Sequence, residues 1–235
     1  MKKFKLTSEF IVDISGVKLF RIKALIEFGN VKAGDLGGYI EKEKNLSHMG
    51  NAWVSGNAQV FGNARVSGDA QVFGDAQVFG NARVFGNAWV SGDAQVFGNA
   101  WVSGNAQVSG NAWVFGDAQV FGNAQVFGNA RVFGNARVSG NARVSGDAQV
   151  FGNAQVFGDA RVSGDKDYAY AHGFGSCNRT TTFFRLKDGD VGVRCGCFYG
   201  TLAQFRDNVC ETHGETKKAQ EYLMLADLMD FRFKN

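Results

Sequence analysis

Between Asn51 and Gly164 one six-residue unit, Ala-x-Val-(Ser/Phe)-Gly-(Asn/Asp), occurs nineteen times without insertion, with Ala at every sixth position from 52 to 160. A fixed short period of this kind restricts the chain to a repeat architecture, because each unit buries its apolar face only against a copy of itself. Within the unit, alternation of period two puts Ala and Val on one face and x with Ser/Phe on the other. The x position is Gln, Arg or Trp. A narrow core cannot hold stacked Gln and Arg without partners, so Ala and Val point inward. Gly-(Asn/Asp) then forms the turn, since both residue types tolerate positive φ.

The spacing of Val54 to Ala58, Val60 to Ala64 and each later pair resembles that of hexapeptide-repeat proteins, which fold as left-handed parallel β-helices. The resemblance implies three hexads per triangular coil, about six coils here, and a prism about 30 Å long at ~4.8 Å per strand. The fold expected is mainly β. An N-terminal β cap occupies residues 1–50, the β-helix residues 51–164, and a C-terminal α+β module of one hairpin and two helices residues 165–235.

The coil period assigns outward residues to three sides. Phe61, Phe79, Phe97, Phe115, Phe133 and Phe151 fill one column without a break, and Trp113 lies on the same side. A second column is mostly Ser, and the third alternates Ser and Phe. Stacked rings shield one another, but a contiguous aromatic patch of several hundred Å² also marks an interface. Self-association into a homodimer or homotrimer through this Phe face is expected. Arg131, Arg137 and Arg143 fall on three different sides and form no basic stripe.

Charge limits the partners. Residues 1–50 carry nine Lys/Arg against six acids, the repeat six against six, and the tail ten against ten. No segment has the basic excess that a nucleic-acid surface needs. No apolar run approaches the ~18 residues of a membrane span, and Glu9 and Asp13 interrupt the N-terminal stretch where an export signal would lie;. The four cysteines lie between 177 and 210 and read as reduced thiols of a cytoplasmic protein;. Family enzymes on this coil use His, yet no His occurs between His48 and His172, and the repeat has no Cys, Glu or Lys. No enzyme activity and no cofactor are expected there.

Both ends read as caps. FIVDISGVKLFRIKAL forms two strands about Ser15-Gly16. In the tail, TTTFFRLKDGDVGVRCGCF forms a hairpin at Asp188-Gly189. A helix follows with a capping box at Thr201 and Gln204, then a last helix capped by Thr216 with Ala219, Tyr222, Leu223, Ala226 and Met229 inward;. The stretch VKAGDLGGYIEKEKNLS is similar to leaders of repeat proteins from bacteria and their phages, and CGCF…GTL…F…ETHG resembles a tail module found on them. That likeness implies a phage or prophage setting, the host cytoplasm, and a host protein as partner, with inhibition of host defence as one role.

Two further sites are legible in the tail. Ser176, Asn178, Arg179, Thr180, Thr181 and Thr182 offer hydroxyls and a guanidinium to a nucleotide or another phosphorylated small molecule;. Cys195, Cys197, Cys210 and His213 supply four donors suited to zinc, or a thiol and imidazole for nucleophilic chemistry;.

Overall fold

A computed structural model describes residues 2–175 and 179–234. The hexads form nineteen two-residue strands, β4 (Trp53–Val54) through β22 (Arg161–Val162), wound into a parallel solenoid. Each strand pairs in register with the strand eighteen residues on, as Gln95 does with Trp113 and Val96 with Val114. Every Ala and Val of the repeat is buried in one continuous core. Trp89, Trp101 and most Arg at the x position stand outside, because the pleat turns them away from that core, whereas Trp53 is buried beside Phe28 of the N-terminal segment;.

The coil number exceeds the sequence expectation. After β1 (Phe4–Val12) and β2 (Lys18–Ala24), strand β3 (Leu36–Ile40) pairs with Gln59–Val60 in parallel, and Leu46 bridges Val66. Ile40 and Leu46 thus occupy Val positions in a further, divergent coil, giving about seven turns in all. Strands β1 and β2 continue the same sheet, which totals nine strands. The register shift in β1 between Leu6 and Phe10 bulges the sheet's outer edge, a device that discourages edge-to-edge pairing;.

At the other end, β23 (Tyr168–Phe174), β24 (Arg179–Arg185), β25 (Val191–Cys195) and β26 (Phe198–Thr201) form an antiparallel sheet in that order. Helices α1 (Leu202–His213) and α2 (Lys217–Phe233) follow. The capping box is present, with Gln204 N–H donating to Thr201 Oγ1 and Thr201 N–H to Gln204 Oε1. Leu223, expected inward, is half-buried, and Phe233 takes the innermost place at the helix end. Among the described residues no helix is long and apolar enough to cross a membrane.

Strand β24 joins solenoid to module. Its even residues face the last coil, where Phe184 is fully buried in the solenoid core. Its odd residues face the helices, where Phe183 packs with Phe205. The tail is therefore the end cap itself rather than an appendage.

Hydrogen-bond polarity explains the chemistry of both caps. In most hexads three N–H groups donate to carbonyls of the next coil, as Phe97 N–H does to Val114 O at 3.0 Å, while the parallel pairing of each Val returns one bond the other way;. The first coil therefore exposes an excess of carbonyls, and the last an excess of N–H groups. Buried polar groups must be paired. At the first end Lys3 Nζ donates to Gly50 O (3.1 Å) and Ala52 O (2.8 Å), and Asn45 Nδ2 to Ala64 O (2.9 Å). At the last end the acceptors are Asp165 Oδ1 for Gln149 N–H, Thr182 Oγ1 for Gln155 N–H, and the Tyr168 hydroxyl for Phe151 N–H.

The turns add ladders of side-chain amides. From Asn87 through Asn105, Asn123 and Asn141, each Nδ2 donates to the next Oδ1 at 3.0–3.1 Å. The series ends at Asp159, which accepts but cannot donate;.

Burial pushes the Lys3 ammonium down to about 8, and the Asp69 carboxylate opposes that shift. The native chain thus releases this proton before the unfolded chain does at ~10.4. Stability of wild type relative to Lys3→Met rises with pH from about 8 to about 10. Urea unfolding of both proteins across that range checks this, and a constant difference refutes it.

Candidate functional site

The six Phe residues of the unbroken column form a ladder of stacked rings. Successive centroids from Phe61 to Phe151 lie 5.0, 4.9, 4.9, 4.9 and 5.3 Å apart. Interplanar angles are 1–3° over the first four steps and 12° at the last. The parallel register dictates this: identical positions repeat at the strand spacing, so each ring lies flat on the next. Their faces are covered by one another and their edges face solvent. All are half-buried except Phe151, which is 39% exposed.

Trp113 stands edge-on to Phe97 at 6.2 Å and carries the Arg131 guanidinium at 5.0 Å. The three consecutive arginines Arg131, Arg137 and Arg143 do fall in three different sheets.

One element of this side was not legible as part of it. The tip of the β1–β2 hairpin overhangs the first coils and encloses a cleft of about 420 Å³, with Ile11, Val12 and Ile14 opposite Phe61 and Phe79. Val12 and Ile14 are largely exposed. Their period-two spacing with Phe10 is visible in the sequence, but the hairpin's approach to the ladder depends on the pairing of β2 with β3.

The run from Ser176 to Thr182 is distributed rather than convergent. Ser176 and Asn178 lie outside the described residues. The Thr180 hydroxyl is 2.9 Å from His172 Nδ1. Thr181 Oγ1 donates to Cys195 Sγ at 3.2 Å, and Thr182 Oγ1 is the cap acceptor for Gln155 N–H at 2.9 Å. Strand alternation sends Thr180 and Thr182 toward the solenoid and Arg179 and Thr181 toward the helices. Among the described residues of the run, only Arg179 keeps an uncommitted polar group.

Arg179 instead joins the cysteines. Cys195 and Cys197 flank the turn from β25 to β26, and with Arg179 and His213 they line one cleft. Cys210 is exposed on α1 and does not line it. Among the described residues, no three of His, Cys, Asp and Glu gather as a group that could hold a metal ion. His213 stacks on Tyr222 at 5.8 Å, and the Tyr222 hydroxyl is 3.8 Å from Cys195 Sγ.

The family model described as the YdcK beta solenoid repeat matches residues 58–74, 76–92, 94–108, 106–122, 124–139 and 136–152. A comparison with curated proteins gave no match. Repeat model and geometry agree: along its hexads the chain is similar to YdcK beta solenoid repeats, and it is a repeat β-helix protein closed at its far end by a small α+β cap.

Proposed function

We propose that the protein is a non-enzymatic oligomeric scaffold that associates through its Phe face and presents its C-terminal cap to a macromolecular partner. The observation that carries this reading is the unbroken ladder. Six rings at a common 4.9–5.3 Å pitch make a stiff apolar comb, and a second copy is a partner with the same pitch;. With their faces already stacked, the rings offer only their edges, so two facing ladders reach the ~800 Å² per partner of a stable interface together with the residues that flank them;. The bulged β1 edge and the covered last coil leave the sides of the prism as the surfaces for association.

In this reading the coils wind left-handed, as in the hexapeptide-repeat proteins that the Ala/Val spacing resembles. The leader and tail resemblances support a phage or prophage origin, with a host protein as the partner and host defence as the process inhibited.

Light scattering tests the assembly. Wild type is expected as a dimer or trimer, and Phe97→Ser/Phe115→Ser/Phe133→Ser as a folded monomer by circular dichroism. The control Phe121→Ser/Phe127→Ser, on the other two sides, leaves the mass unchanged. A monomeric wild type, or an unchanged mass in the triple variant, removes the scaffold reading. Partner capture needs the full chain, because truncation at Gly164 would strip Phe184 and Thr182 from the last coil.

A further inference from the structure

The turn at Gly196 and Cys197 faces the last turn of α1 across a cleft of about 300 Å³. Its polar rim is Arg179, Asn208, Thr212 and His213, and its floor includes Phe198 and Phe205. Arg179 brings a permanent positive charge, and no carboxylate lines the cleft. The guanidinium makes no hydrogen bond or ion pair among the described residues.

Packing rather than a counter-ion holds it. The side chain lies across Gly196, where an added Cβ would stand 2.1 Å from Arg179 Nη1, and Gly196 has φ +60°. A guanidinium fork left with its donors free matches a phosphate group bidentately. Around it, the Asn208 amide, the Thr212 hydroxyl and the His213 imidazole can all donate. Below, the half-buried Phe198 ring offers an apolar contact for a flat ring system; it lies 5.5 Å from the buried Phe205 ring and is tilted 54° to it;. The volume is at the small end of the ~300–1,000 Å³ range of ligand sites, which fits one such molecule rather than two linked ones.

We infer that this cleft binds a small phosphorylated molecule with one flat ring system, of the nucleoside 5′-monophosphate class. The phosphate sits on Arg179 and the ring against Phe198. The inference does not rest on the scaffold reading, because the cleft lies in the cap and the ladder on the side of the prism.

Thermal melting of the full chain tests it with AMP, GMP, CMP and UMP at millimolar concentration. Inorganic phosphate and the parent nucleosides serve as separate arms. At least one nucleotide is expected to raise the melting temperature by about 3 °C or more, with a smaller effect from either half alone. Arg179→Ala is expected to abolish the shift. Arg179→Gln keeps the aliphatic stem over Gly196 and removes the charge, so it must also abolish it even if the alanine variant is less stable. No shift with any of the four nucleotides overturns the proposal. So does an equal shift with inorganic phosphate alone, or a shift that survives both substitutions.

Discussion

Phe184→Ala is expected to lower the unfolding free energy by about 3–5 kcal/mol, the range for removing a buried aromatic ring. The ring is fully buried, and it belongs to the solenoid core although it comes from the cap. Its loss opens the last coil to water beside Tyr168, whose hydroxyl takes the Phe151 N–H. Because a solenoid is held by nearest-neighbour contacts, the damage should spread inward from that end. Hydrogen exchange should therefore quicken first in the last coils, around Val150 and Val156, and last near Val60. Phe231→Ala, at a position 72% exposed, is the control and should cost within about 0.5 kcal/mol;. A loss below 1 kcal/mol for Phe184→Ala would show that the module hangs beside the coil instead of closing it.

Gly98→Ala is expected to cost about 2–4 kcal/mol, combining the ~1–2 kcal/mol of a left-handed backbone with displacement of the neighbouring coil. Gly98 has φ +70°, and a Cβ there would stand 2.9 Å from Gly116 N and 3.1 Å from Gly116 O. Those atoms are backbone and cannot swing away. The coils must part, which weakens the 2.8 Å bond from Asn99 N–H to Gly116 O. Gly164→Ala makes the comparison, since Gly164 is extended at φ −159° with nothing within 4 Å of an added Cβ. Its substitution should be neutral or slightly stabilising. Equal melting temperatures for the two variants would contradict the turn geometry.

Much of the fold was legible because the repeat states one rule nineteen times. Ala and Val inward, the turn at Gly, and the Phe column all follow from periods of two, six and eighteen. The divergent first coil escaped that reading. Ile40 and Leu46 pair with residues twenty positions on rather than eighteen, since two extra residues separate Leu46 from Val54. Strand β26 was missed for another reason: its four residues, Phe198–Thr201, are too few to show a period. In the candidate cleft Arg179, Cys195, Cys197 and His213 were each singled out, but in two separate groups. Their meeting depends on the β24–β25 register and on where α1 lies, and neither leaves a trace in local spacing.

Thr182 shows the division most plainly. By sequence it is one hydroxyl in a polar run; in the fold it completes a hydrogen bond that the last coil would otherwise lack. The sequence by itself determined the coil, because a short repeat can bury its Ala/Val face only by stacking on its own copies. Tertiary structure alone decided how the stack ends. Most inter-coil bonds run one way, leaving carbonyls in excess at one end and N–H groups in excess at the other. Lys3 and Asn45 answer the first, while Asp165, Tyr168 and Thr182 answer the second. These residues come from segments with no repeat, so only three-dimensional proximity could assign them that work.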